Sequence, residues 1–390
     1  MKKLLLVFLC LNLYAKGLTY LNQLRQQVGE IPLKENKVLD IAAKNHSTYM
    51  FLNNIPSHYE KKGDRYFTGV YPYQRAIYAG YYSKGILENF SYGQNNIKDS
   101  IDSLFSAIYH RFGFLDTSIN EIGIGIKGKF YTYDMGNSYL NSLCKKNKSF
   151  IGYGKYYINV CKNKNLKIKF ETYNNGINIL RKQNPKIIIW PPKNSKNILP
   201  AFYEEEPDPL PDYGVSGYPI SVIFNPYYFK NKNIKIYRFR LFQGNREIKH
   251  TRLITKQNDV NHKFTKYQFA LFPLDRLSYN TTYTAICEYL LDGYIYTLKW
   301  NFTTQKLNAK KFIIKDDKQT VVINENQKYI FYFPPSNSND KIETYRVSYY
   351  SNQKLNTKLL DFNTLSVSVK GAGTIKFYLS NHKTLTLIVK

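Results

Sequence analysis

Along this chain the apolar positions change their spacing, and the change divides it. From Leu18 to Val28 and from Asn36 to Leu52 they recur at helical intervals, and in the second run Val38, Leu39, Ile41, Ala42, Tyr49 and Met50 predict one apolar face. Pro72 suits the first turn of another helix that passes Arg75 and Ala79 and stops at Gly80. The run from Ile97 to Tyr109 predicts a helix that ends by delivering His110. Residues 119–126 and 129–135 alternate instead, as two strands paired about Gly128. Helices mixed with an antiparallel sheet predict an α/β sandwich.

Near residue 165 the character changes. Residues 184–219 are rich in proline and polar side chains, in WPPKNSKNILP and then the acidic EEEPDPLPDYG, which reads as a linker or an extended domain entry. From Tyr218 to Thr304 short alternating runs separated by turn residues predict a β-sandwich: YPISVIFN, IKIYRFRLF, YQFALFPL, TTYTAICEYLL and YIYTLKWNFTT. The closing LKWNFTT resembles the last strand of bacterial immunoglobulin-like modules. Phe312 to Lys390 repeats the theme as a second, smaller β-sandwich.

The first 15 residues, two lysines followed by LLLVFLCLNLY and a small residue, have the layout of a secretory signal peptide. Cys10 lacks the small residue expected just ahead of a lipid-modified cysteine, so a lipoprotein anchor ranks second. No later segment is long and apolar enough to span a bilayer, which predicts a protein that is not integral to a membrane. Cys144 and Cys161 flank a predicted hairpin and would pair in an oxidising compartment, the alternative being two buried thiols. Cys287 alternates with apolar neighbours as a core residue. The formal charge of +28 is spread along the chain, mostly as lysine. That distribution argues against specific nucleic-acid binding and for weak attraction to anionic lipids or cell-wall polymers.

Candidate chemistry sits in the first third. His58 lies in IPSHYEKKG, Glu88 in GILENFSYG and His110 in SAIYHRFGFLDTSINEIGIGI. Two imidazoles and a carboxylate can bind a divalent metal or hold a water for acid–base work. The order of segments, from LNQLRQQVG through NHSTYM, SH, YPYQRAIYAGY, EN, HR and EIGIGI to YTYDMGN, resembles the bacterial branch of the CAP superfamily, the SCP-like or cysteine-rich secretory protein domains. The resemblance implies a CAP-type α-β-α sandwich with a cleft lined by His58, Glu88 and His110. His46 also matches a family histidine, though a satisfied core histidine is the preferred reading, and Arg75 matches a scaffold arginine expected in an ion pair. Two departures stand out: Leu87 replaces the family's glycine before the glutamate, and Leu104 and Phe105 stand where a tryptophan usually precedes the HR step. The second glutamate of the eukaryotic tetrad has no counterpart, and Glu121 is the candidate substitute.

The expected organisation is therefore a signal peptide at 1–15, a CAP domain at 16–165 with a C-terminal hairpin, a linker at 166–215, an immunoglobulin-like sandwich at 216–305 and a second sandwich at 306–390. The expected function is a secreted module, in the periplasm, on the cell surface or in the medium, that binds a peptide, lipid or cell-wall polymer. Zinc at His58 and His110 is the expected metal if the cleft holds one, with Glu88 as a direct or water-bridged partner. Two alternatives compete: a metal-dependent hydrolase of peptide or cell-wall substrates with Glu88 as base, and an adhesin whose tyrosine-rich sandwiches do the binding. No nucleophile elbow, P-loop, HExxH or dinucleotide fingerprint is present.

Overall fold

The structure is a computed structural model that describes residues 16–390; the expected signal peptide and Cys10 lie outside the described residues. The chain divides into two compact units. One comprises the chain up to Lys193 with Ser221–Ile234 and Lys263–Phe269; the other comprises Asn194–Ile220, Lys235–His262 and Ala270–Lys390. Among the described residues, no helix is long and apolar enough to cross a membrane.

In the first unit helix α1 covers 16–27. It is followed by β1 (Lys34–Glu35), α2 (Lys37–Asn53), α3 (Pro72–Ala79), β2 (Ile86–Tyr92), α4 (Ile97–Ser106), α5 (Ile108–Phe114), β3 (Glu121–Lys127), β4 (Phe130–Gly136), α6 (Ser138–Lys146), β5 (Tyr156–Tyr157), β6 (Ile168–Lys169), α7 (Phe170–Gln183) and β7 (Ile187–Trp190). The main sheet has the order β1-β3-β4-β2, with β1 parallel to β3 and the other pairs antiparallel.

Helix α2 starts where the Asn36 side chain accepts from the amides of Val38 and Leu39 at 3.0 and 3.2 Å. Its buried row is Leu39, Ala42, Ala43, His46, Tyr49 and Met50. Ile41, expected on that face, is 51 % exposed, because at about 100° per residue it falls on the side of the helix away from the buried row. The helix lies so close on β3 that a Cβ at Gly123 would fall 1.9 Å from the Leu39 carbonyl carbon, and one at Gly125 2.1 Å from that of Ala43. The two glycines of EIGIGI are thus what allow helix and sheet to meet.

The single helix expected before His110 is two. Ala107, at φ −75° and ψ 119°, breaks it, and the Arg111 side chain turns back to donate from Nε to the Phe105 carbonyl at 2.7 Å. A cation on the last carbonyls of α4 ends that helix and starts α5 at the required angle, with His110 in the first turn of α5.

Residues 166–215, expected as a linker, are structured. Helix α7 lies on α6, with Leu180 buried and the Asn137 side chain donating to the Gly176 carbonyl at 3.3 Å. Beyond it, β7 pairs antiparallel with Ile220–Phe224. Its Trp190 stacks on Phe105 with ring centroids 4.3 Å apart. A tryptophan therefore does pack beside the HR step, supplied from a distant segment.

The second unit is all β. One of its sheets runs Arg246–Glu247, Ile234–Gln243, Thr282–Leu291, Tyr294–Thr304 and Ser195–Ile198. Cys287 is buried in it as a free thiol, as its alternation predicts, and burial with the neighbouring Glu288 charge pushes its pKa up to about 12. The C-terminal part is a sandwich of two four-stranded sheets, one of Lys310–Ile313, Lys328–Tyr332, Thr364–Lys370 and Lys354–Asp361, the other of Lys318–Ile323, Thr384–Val389, Gly373–Leu379 and Tyr345–Ser348. Phe331, Leu365 and Val367 from one sheet and Ile375, Phe377 and Leu387 from the other form a single core. The fold class is thus an α/β sandwich followed by a β-rich remainder.

Candidate functional site

Strand β2 faces two ways. Glu88 projects on one side; Asn89 projects on the other, where its side-chain amide donates to the His110 backbone carbonyl at 2.7 Å and fixes α5. Glu88 is thereby a strand residue opposite Asp134 of β4.

His58 and Glu88 meet directly. The His58 Nδ1 donates to Glu88 Oε1 at 2.9 Å, and the histidine side chain is 31 % exposed while that of the glutamate is 1 % exposed. The His110 ring lies nearly parallel to that of His58, with centroids 6.0 Å apart, and Phe90 meets His58 edge-on at 4.6 Å. All three predicted cleft residues are therefore neighbours.

Arg75 from α3 holds this arrangement. Its Nη2 donates to Glu88 Oε2 at 2.5 Å, and its Nη1 reaches the carbonyls of His58 and Val70, each at 3.1 Å. One buried guanidinium thus fixes both the carboxylate and the loop that carries the histidine. Behind it, Glu60 accepts from His46 Nδ1 at 2.9 Å through one oxygen and from the Thr68 amide at 2.7 Å through the other. His46 Nε2 donates to the Ser57 carbonyl at 2.8 Å, so both of its ring nitrogens are committed to the scaffold. Glu121 is likewise engaged: Tyr81 donates to one oxygen and Asn36, the N-cap of α2, to the other.

The electrostatics divide two acids on neighbouring strands. Burial alone would raise the Glu88 pKa. The Arg75 guanidinium, with His46 and the His58 hydrogen bond, outweighs it and holds the carboxyl well below the usual carboxylate range. Asp134 goes the other way: burial and the Glu88 charge raise its pKa well above 3.8, against the weaker pull of Arg75. The fold thus pushes the pKa values of these two neighbouring acids in opposite directions.

Among the described residues, no group of three or more His, Cys, Asp or Glu side chains is placed to hold a metal ion. Zinc takes three or four protein ligands. Both Glu88 oxygens and His58 Nδ1 are committed within the scaffold, so Glu88 is not an open third donor. The zinc site expected at His58 and His110 does not fit as a self-sufficient centre.

Residues 18–141 match the model of the CAP family, described as the cysteine-rich secretory protein family. That stretch is a CAP domain. A search of curated proteins found no match. Similar solved structures include an extracellular protein containing an SCP domain from Bacillus anthracis (19% identity, TM-score 0.30, 32% of this chain and 40% of that one). An outer surface protein from Borrelia burgdorferi is similar at 17% identity and TM-score 0.27, over 30% of this chain and 86% of its own. A cysteine-rich secretory protein from Staphylococcus aureus is similar at 18% identity and TM-score 0.22, with 32% of this chain covered and 38% of that one. The chain thus spans well under half the length of the first and third of these.

Sequence reasoning missed Glu60 and Asp134 of the CAP domain. Glu60 gave no signal, since EKKG reads as a solvated loop. Asp134 did give one, as an acid inside the strand pattern YTYDMG, where aspartate is disfavoured. The Cys144–Cys161 disulfide is formed, with Cα atoms 5.3 Å apart.

Proposed function

We propose that the CAP domain is an extracellular ligand-binding module whose receptive group is the outward edge of His58, with His110 beside it. The observation that carries this is the pairing of a part-exposed imidazole with a buried carboxylate that is itself fixed by Arg75. Such a backing fixes ring orientation and tautomer, so Nε2 is presented to a ligand at little entropic cost. Peptides, lipids and cell-wall fragments all offer a polar group for that nitrogen. Export is supported by the apolar leader-like run at 1–15 and by a disulfide, which persists in oxidising compartments. In this reading the β modules, taken as 216–305 and 306–390, space or anchor the domain.

The test is isothermal titration of the full chain and a His58→Ala/His110→Ala variant with soluble cell-wall fragments, synthetic peptides and zinc chloride. Saturable binding of a fragment or peptide by the wild type, weakened at least about tenfold in the variant, is expected. Equal binding by both proteins, or none by either, contradicts the reading. One equivalent of zinc bound only by the wild type would restore the metal centre.

The same pair favours one second reading, hydrolysis of a peptide or cell-wall bond. The roles then differ from the sequence expectation: Glu88 is buried and paired, so His58 is the base and Glu88 orients it. Turnover lost in His58→Ala and reduced in Glu88→Gln would establish it. The adhesin reading predicts instead that deleting the C-terminal sandwich, Phe312–Lys390, abolishes surface binding.

A further inference from the structure

The positive charge of the chain gathers in several stretches, and one of them is closed by a disulfide. Between residues 145 and 169 there are eight lysines and no acidic residue, and all eight are exposed. They surround a loop closed by the Cys144–Cys161 disulfide. Its base is ordered: the amide of Phe150 donates to the Lys167 carbonyl at 2.7 Å, and that of Phe170 to the Lys155 carbonyl at 3.0 Å. Strand β5 pairs with β6, and Tyr157 packs on Phe170 and Tyr173, tying the loop to α7. Leu166 and Ile168 bury against the disulfide as a small core.

At the tip the burial pattern inverts. Ile151 is 93 % exposed and Tyr153 105 % exposed, flanked by Gly152 and Gly154 at φ 131° and 129°. Nothing would touch a Cβ at Gly154. An isoleucine and a tyrosine held this far into solvent on a braced loop lose apolar burial that the fold does not recover. Tyrosine is the residue type that settles at a membrane interface, with its ring among acyl chains and its hydroxyl among headgroups. Lysines around it match lipid phosphates, each contributing near an anionic surface.

We propose that this loop docks on an anionic lipid bilayer, Ile151 and Tyr153 entering the interface while the surrounding lysines meet the headgroup phosphates. Charge complementarity selects an anionic partner, and the projecting apolar tip selects a bilayer over a soluble polyanion, which has no interior to receive it. The proposal is independent of the His58 cleft.

The test is co-sedimentation of the full chain with phosphatidylcholine vesicles and with phosphatidylcholine/phosphatidylglycerol vesicles. Binding to the anionic vesicles alone is expected, weakening as salt rises. The variant K145Q/K146Q/K148Q/K155Q should lose binding about tenfold or more, and I151S/Y153S about threefold or more. A control with K315Q/K318Q/K328Q/K354Q, equal in charge but in the C-terminal sandwich, should bind nearly as wild type. Tyr153→Trp should shift its emission to the blue with anionic vesicles, over a constant background from the buried Trp190 and Trp300. Circular dichroism melting checks that each variant is folded. Equal loss in the control would assign the effect to diffuse charge, binding without a blue shift would assign it to a polyanion-type contact, and equal or no binding to both vesicle types would remove the lipid. Each of these overturns the proposal.

Discussion

Arg75 is the residue whose removal says most about the site. In Arg75→Met the Glu88 carboxylate loses its 2.5 Å partner while its side chain stays 1 % exposed, and the His58 and Val70 carbonyls lose a donor. Removing one member of a buried ion pair costs about 3–5 kcal/mol, because the other charge is left uncompensated. The sign of the pH dependence is equally specific. In the wild type the Glu88 pKa is depressed, so its contribution is present above the unfolded carboxylate value of about 4.3 and is lost as pH falls below it. In the variant burial is no longer opposed by Arg75, the pKa rises, and the penalty grows as pH rises through that value. The loss should therefore be larger at pH 7 than at pH 4. Urea unfolding followed by tryptophan fluorescence measures it, in a Trp300→Phe background so that Trp190 reports the first unit alone. Trp300 suits this because its buried indole nitrogen has no hydrogen-bond partner to lose. A cost below about 1 kcal/mol, or one independent of pH, would refute the reasoning.

Other expectations follow from the same structure. Asp134→Asn should be tolerated near pH 4 and gain on the wild type as pH rises, because an acid with a raised folded pKa loses stability upward from its unfolded value of about 3.9; parallel melts at several pH values check this. Gly123→Ala should destabilise by more than about 3 kcal/mol, since the new Cβ would stand 1.9 Å from the Leu39 carbonyl carbon; thermal melting or loss of soluble protein reports it. Cys144→Ser/Cys161→Ser, opening a link of sequence separation 17, should lower stability by about 3 kcal/mol, and dithiothreitol should reproduce the shift in the wild type alone. In the second unit Arg276→Ala should cost about 3–5 kcal/mol in urea, because it strands Asp361 and empties the slot between the Tyr279 and Tyr332 rings, 4.5 and 4.7 Å from the guanidinium.

What the sequence disclosed was what local spacing encodes. The row on α2 was legible except at Ile41, whose apolarity outvoted its angle. The strand at EIGIGI was legible from its alternation, and the order of short segments led to His58, Glu88 and His110, which the fold does bring together. What stayed hidden depends on contacts distant in the chain. The break at Ala107 is set by the Arg111 side chain, which no periodicity reveals. Helix α7 was masked by its own composition, since in NNGINIL only Gly176 and Leu180 are buried while Ile179 is exposed among asparagines. Trp190 and Phe105 meet although they stand 85 positions apart in the chain. Glu60 owes its place to the hydrogen bonds it accepts from His46 and Thr68, and Asp134 its raised pKa to burial, neither of which a lone carboxylate in a sequence discloses.

The central claim is that Glu88 turns His58 so that Nε2 faces outward for a ligand. The most direct measurement is two-dimensional nuclear magnetic resonance of the full chain with 15N-labelled histidine, compared with Glu88→Gln. The account predicts that the neutral form of the His58 ring carries its proton on Nδ1 and leaves Nε2 bare, with a mixed or reversed tautomer in the variant. A His58 ring protonated only at Nε2 in the wild type, unchanged by Glu88→Gln, would contradict it.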